Sequence, residues 1–162
     1  MTLPLFPLQA VLFPGGLLAL KVFEARYLDL VGECLRARQP FGVVALKQGR
    51  EVRTPGEAVR FEPVGTQAEL IDVDSAQPGI LQVRCRGTTR FTLGATTQQS
   101  NGLWRAETSD IEADAALAPE AALLETVKGL AKAIGALKTQ GHEPFLEPYR
   151  FDDAGWVANR WC

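Results

Sequence analysis

The chain is 162 residues long, 46% apolar and 22% charged, with a formal net charge of −2. This is the size of one domain, or one with a small appendage, and it can bury a core without covalent staples. The balance argues against disorder and against a dedicated nucleic-acid binder, which carries a strongly basic surface; a single histidine rules out multi-histidine metal sites.

The first twenty residues are apolar, but Pro4, Pro7, Pro14 and the Gly15-Gly16 pair interrupt any helix long enough to span a membrane, and no basic segment precedes them. They predict short buried strands at Leu3–Leu8 and Val11–Phe13, a Pro-Gly-Gly turn, and another strand over Leu17–Phe23. With no targeting signal, the expected compartment is the cytoplasm. From Glu24 to Arg38 the register changes: Tyr27, Leu30, Val31, Cys34 and Leu35 make one apolar face of a helix, with early acids and late arginines as the helix dipole prefers. Gln39-Pro40 stops it.

Phe41–Lys47 predicts a strand, and the polar stretch Gln48–Glu62, with two glycines and a proline, a long loop or ragged hairpin. Val64, Thr66, Ala68 and Leu70 alternate before the phase slips to Ile71 and Val73, which is the mark of a β-bulge. Leu81, Val83 and Cys85 alternate with Gln82, Arg84 and Arg86; after Gly87 the alternation resumes at Phe91, Leu93 and Ala95. Asn101-Gly102 is a hairpin signal leading into a strand over Leu103–Ile111. Six or more short strands at hairpin spacing imply a closed mixed or antiparallel sheet.

After Glu112 the texture becomes helical. Pro119 suits a first helical turn, and Leu123, Val127, Leu130, Ile134 and Leu137 supply an apolar face to about Gly141. A loop with two prolines follows, and Asp152–Cys162 predicts the first turns of a third helix. The expected organisation is a β-rich body over residues 1–112, with its helix at about 24–38, and a helical tail over 113–162.

No constellation carries catalysis. No phosphate-binding loop occurs, and Asp72-Val73-Asp74 lacks the glycine and terminal acid of a calcium loop. Ser75, Ser100 and Ser109 lie by turns or in polar stretches. His142 sits in a loop as a solvated residue, although a small hydrolase or transferase would have to use it. Asp152-Asp153 and the Glu143/Glu147 pair suit a helix start. Cys34, Cys85 and Cys162 have neither zinc nor disulfide spacing and read as reduced thiols. Arg84, Arg86 and Arg90 could hold phosphates or an acidic peptide, or simply face acids on neighbouring strands. No catalytic, metal or cofactor residue is assigned.

Leu3–Leu35 strongly resembles the opening of the Lon amino-terminal domain, the substrate-binding module of an ATP-dependent protease, through LPLFPL, VLFPG and the F-E-x-R-Y of Phe23, Glu24, Arg26 and Tyr27. FGVV at Phe41, VGTQAEL at Val64 and GTTRFTL at Gly87 continue the pattern in order. The resemblance implies a mostly β, α+β fold: a PUA-like pseudo-barrel with one early helix, followed by a C-terminal helical region. It implies a non-enzymatic module, without ATPase or protease parts, that binds unfolded or hydrophobic polypeptide. The alternative it implies is an RNA-binding PUA-like domain resting on Arg84, Arg86 and Arg90. Candidate polypeptide contacts are Phe13, Leu17, Trp156 and Trp161. The tail stops mid-helix, short of the family's helical end, so self-association or another partner against the last helix is a further expectation; a membrane partner is not expected.

Overall fold

A computed structural model describes residues 1–162, the side chain of Ala76 excepted. The chain divides into two compact units, Met1–Glu112 and Ala113–Cys162.

The first unit carries six strands, β1 (Thr2–Leu8), β2 (Leu17–Val22), β3 (Phe41–Gln48), β4 (Arg60–Gln77), β5 (Ile80–Gln98) and β6 (Trp104–Asp110), and helix α1 (Ala25–Ala37). The sheet order is β2-β5-β4-β3-β1-β6, and a further pairing of β5 with β6 closes five strands into a ring. β2 stands outside that ring on the first half of β5. β1 and β3 are parallel, while every other pairing is antiparallel. This is the mostly β, α+β architecture expected from the sequence, though the ring is not a regular barrel.

Two apolar clusters lie on opposite faces of the central strands. Phe6 and Leu8 of β1 and Phe41 and Val43 of β3 face the cluster that α1 covers with Tyr27, Leu30, Val31 and Cys34. Leu3, Leu5 and Val44 point the other way, toward Phe91 and Ala106. Strands buried on both faces show continuous apolar runs rather than alternation, which is why LPLFPL and FGVV read as they do. Gly65 makes room for the Phe91 ring, since a Cβ there would sit 2.4 Å from its Cζ and 2.6 Å from the Val43 carbonyl oxygen.

Several details differ from expectation. Val11–Phe13 forms no strand: Val11 is exposed, Leu12 is buried, and Thr66 Oγ1 donates to the Leu12 carbonyl at 2.6 Å. Gly87 does not end a strand. β5 runs through it for 19 residues, because the Phe13 carbonyl oxygen would lie 2.3 Å from a Cβ at that position and only glycine admits the approach. The six strands meet the expected six or more, but two of them, β4 and β5, are longer than hairpin spacing suggests. Leu35, on the expected apolar face of α1, is exposed, whereas Arg26 is buried. The phase slip at Ile71 is a true bulge, with Leu70 opposite Cys85 and Asp72 opposite Arg84.

In the second unit a short 3-10 turn (Ala121–Leu123) leads into α2 (Leu124–Thr139), and α3 spans Ala154–Trp161. Pro119 thus precedes the helix rather than opening it. Leu130 and Ile134 of α2 pack with Val157 of α3, and Phe145, Tyr149, Phe151 and Trp156 close around them. Asp153 caps α3 by accepting from the Gly155 amide at 3.0 Å and so serves the helix start, whereas Asp152 pairs with Arg150 instead. No helix among the described residues is long and apolar enough to cross a membrane.

Candidate functional site

The segment Phe13–Val22 is held to the body at its turn and left open along one edge. Gly15 N–H donates to the Gly87 carbonyl at 2.7 Å, Gly87 N–H to the Gly16 carbonyl at 2.9 Å, and Gly16 N–H to the Phe13 carbonyl at 2.9 Å. Gly15 has φ 72°, a left-handed turn conformation that glycine adopts freely. These bonds set the register of the following strand, in which Leu17 faces Arg86, Leu18 faces Cys85 and Leu20 faces Val83.

Alternation along an antiparallel pair fixes where the backbone groups point. The Gly87 N–H reaches the Gly16 carbonyl, which marks Gly16 as a position whose carbonyl faces β5. By alternation Leu18, Leu20 and Val22 turn their N–H and C=O groups toward β5, and Leu17, Ala19 and Lys21 turn theirs to the opposite edge. Among the described residues β2 pairs with β5 alone. Its outer edge therefore presents three residues' worth of unpaired donors and acceptors, a template for another extended chain.

The side chains divide in the same rhythm. Leu18 and Leu20 pack on the α1-covered cluster, while Leu17, Ala19 and Lys21 share the outer face with Arg86, Arg84 and Gln82. Phe13 and Leu17 are half-buried at one end of the strand, and Phe23 is 52% exposed at the other. Phe23 directly follows the edge strand, and its exposure comes from that placement, which local sequence does not announce.

Of the four candidate contacts, Phe13 and Leu17 flank this turn. Trp156 and Trp161 belong to the second unit. Trp156 is half-buried against Phe145, Tyr149 and Phe151 at ring distances of 5.3–6.5 Å, and Arg160 lies over its face at 5.0 Å, so packing occupies it. Trp161 is half exposed, its indole N–H donating to the Thr126 carbonyl at 3.2 Å.

The arginines of β5 sit among acids. Arg86 is opposite Glu69 and Arg84 opposite Asp72, and Arg90 Nη2 donates to the Glu112 carbonyl at 3.4 Å. Alternating signs on one face make a poor phosphate track. His142 is exposed in the loop after α2. Burial pushes the Cys34 thiol up to about 11 and the Cys85 thiol up to about 12, so neither is a ready nucleophile. No three His, Cys, Asp or Glu side chains gather as a metal-holding group among the described residues.

Residues 2–161 match the family described as the ATP-dependent protease La (LON) substrate-binding domain. The chain is 32% identical to the Lon N-terminal domain protein from Xanthomonas campestris, with a TM-score of 0.72 over 99% of this chain and 80% of that one. It shares the fold of the N-terminal domain of Mycobacterium avium complex Lon protease, at 14% identity and a TM-score of 0.53, over 87% of this chain and 70% of that one. It is also 31% identical over 99 residues, 60% of the chain, to the Lon protease of Anaeromyxobacter dehalogenans (strain 2CP-C), of which the match spans 12%.

Proposed function

The chain belongs to the Lon substrate-binding domain family, and from that premise we propose that it binds unfolded polypeptide by adding an extended segment to the outer edge of β2. The observation that carries this reading is the unpaired edge at Leu17, Ala19 and Lys21, bordered by Phe13, Leu17 and Phe23. Strand addition draws affinity from main-chain hydrogen bonds, so it accepts many sequences. The apolar residues at the two ends favour segments that carry hydrophobic side chains, which an unfolded protein exposes and a native one hides. Within these residues we read binding without chemistry. Trp161 is a secondary contact in the second unit, and it is also where self-association through α3 would occur.

The test is a fluorescence-anisotropy titration of the chain into one labelled protein, held either native or permanently unfolded. Saturable binding of the unfolded form at tens of micromolar, with none of the native form, supports the reading. Equal binding to both forms, or none to either, overturns it. RNA association would fall steeply with salt, because phosphate contacts release counterions. Strand addition, built on neutral hydrogen bonds and apolar contact, would not.

A further inference from the structure

A second concave site lies in the first unit, built where α1 begins, where the loop between β3 and β4 folds over, and where β5 turns into β6. It is a cavity of about 110 Å³, lined in part by Arg26, Tyr27, Leu46, Arg50, Arg53 and Trp104. That is below the roughly 300–1,000 Å³ of drug-sized ligand sites, so it admits a small group rather than a nucleotide.

Its construction is polar and oriented. Arg26 is buried, its Nε bound to Glu24 at 3.0 Å, Nη1 to the Gly102 carbonyl at 3.1 Å and Nη2 to the Glu51 carbonyl at 3.2 Å. A guanidinium has five N–H donors, so two of its donors are left over. Arg26 also lies 4.5 Å over the Tyr27 ring, which stacks on Phe6 at 4.1 Å, so both side chains are locked. Gly102, at φ 88°, lets Arg53 lie against the turn, where a Cβ would come within 2.6 Å of Arg53 Nη1. Of the three guanidinium groups in the lining, Arg26 is paired with Glu24 and Arg50 lies 3.7 Å from Glu57, while Arg53 donates to the Asn101 carbonyl at 3.5 Å.

Tyr27 decides the reading. The residue is 5% exposed, it lines the cavity, and its buried hydroxyl has no hydrogen-bond partner. Burial pushes it up to about 12, so it remains a donor throughout the neutral range. A buried donor without a partner costs free energy that a ligand's acceptor would recover.

We infer that this cavity binds a carboxylate attached to a small apolar group, with the Tyr27 hydroxyl and the unused guanidinium N–H groups as donors and Leu46 and Trp104 against the apolar part. An arginine fork matches the planar carboxylate, and a hydroxyl donor completes the set. Such a group comes either from the C-terminus of a polypeptide or from a free small acid.

The test titrates the intact chain with N-acetyl-leucine, N-acetyl-leucinamide, inorganic phosphate, and a leucine-ending peptide with free or amidated C-terminus, followed by the Trp104 indole NMR signal. The acid binds at least about tenfold more tightly than the amide, and Tyr27→Phe weakens it about tenfold, as expected for a hydrogen bond to a charged group. Tyr27→Phe removes only an unpartnered hydroxyl and keeps its ring packing, so its melting temperature does not fall; Arg53→Gln, at the exposed rim, is the second variant and loses binding too. A free-carboxylate peptide tighter than N-acetyl-leucine assigns the site to a chain terminus, and equal affinity assigns it to a small acid. Acid and amide binding alike, no Trp104 shift with either, tighter binding of phosphate, or parental affinity in both variants overturns the inference. Blocking the β2 edge leaves this cavity intact, so the two readings fail separately.

Discussion

Ala19→Pro separates an open edge from an ordinary strand. Ala19 is the central outward-facing residue of β2, opposite Arg84 in a pair that exchanges no ladder bonds. Proline there deletes an N–H that points away from β5 and leaves the β5 ladder whole, and edge positions of that kind tolerate it. The ring is exposed, as Ala19 is now. Folding stability should therefore change by less than about 1 kcal/mol, within the range of surface substitutions and well short of the ~3 kcal/mol of a proline that breaks a bonded element. Binding pays differently. An added strand loses one main-chain hydrogen bond, worth about 0.5–1.5 kcal/mol, and meets the ring at the middle of its track. The affinity for unfolded polypeptide should drop roughly tenfold or more, since 1.4 kcal/mol is a factor of about ten. Anisotropy titration measures the affinity, and urea unfolding measures the stability of the same sample. Leu18→Pro, one residue away, removes a donor that β5 uses and should cost several times more stability. A folded Ala19→Pro variant that binds within twofold of the parent refutes strand addition at this edge.

Two further outcomes test the packing and the buried acids. Gly65→Ala places a methyl 2.4 Å from Phe91 Cζ and 2.6 Å from the Val43 carbonyl oxygen, so overpacking should cost about 3 kcal/mol in a thermal melt. Gly135→Ala, in α2 with nothing within 4 Å of its Cβ, should instead add roughly 0.5–1 kcal/mol of helix stability; equal effects at the two sites would contradict the packing account. Stability should also fall on the alkaline side. Cys34 and Cys85 rise from 9.0 to about 11 and 12, and Tyr27 from 10.0 to about 12, each because burial disfavours the anion. The unfolded chain then releases these protons first, so stability is complete below pH 9 and declines toward pH 12, by up to about 1.4 kcal/mol per pH unit per group. Urea midpoints that stay flat from pH 9 to 11 would show that these groups are not shielded.

Much of this architecture is legible along the chain because its causes are local. The three- and four-residue spacing of Tyr27, Leu30, Val31 and Cys34 is a property of one helix face, and the slip at Ile71 is a property of one strand's alternation. Asn101-Gly102 sets its own turn, with Gly102 at φ 88°. Other features depend on what lies across space. Gly87 has the appearance of a strand break and is instead a close approach, because the Phe13 carbonyl comes from a segment more than seventy residues earlier. Arg26 stands in the sequence only as part of the F-E-x-R-Y motif, and its burial depends on Glu24 and on two distant carbonyls, those of Glu51 and Gly102.

The candidate site follows the same division. Phe13 and Leu17 were visible as apolar residues beside a Pro-Gly-Gly turn. That β2 is an edge strand was not, because edge status depends on which strands fail to pair with it. Trp156 stands out by its size and isolation in sequence, but Phe145, Tyr149 and Phe151 gather around it from a loop whose prolines conceal the cluster. Trp161, half exposed, lies against α2 with its indole N–H on the Thr126 carbonyl, a contact that depends on a residue 35 positions away.

The most direct measurement is residue-resolved amide exchange of β2 with and without a saturating unfolded polypeptide. Strand addition predicts an alternating footprint: the amides of Leu17, Ala19 and Lys21 slow on binding, while those of Leu18, Leu20 and Val22, already bonded to β5, keep their rates. Uniform change along the strand, or binding with no protection at Leu17, Ala19 and Lys21, would contradict it.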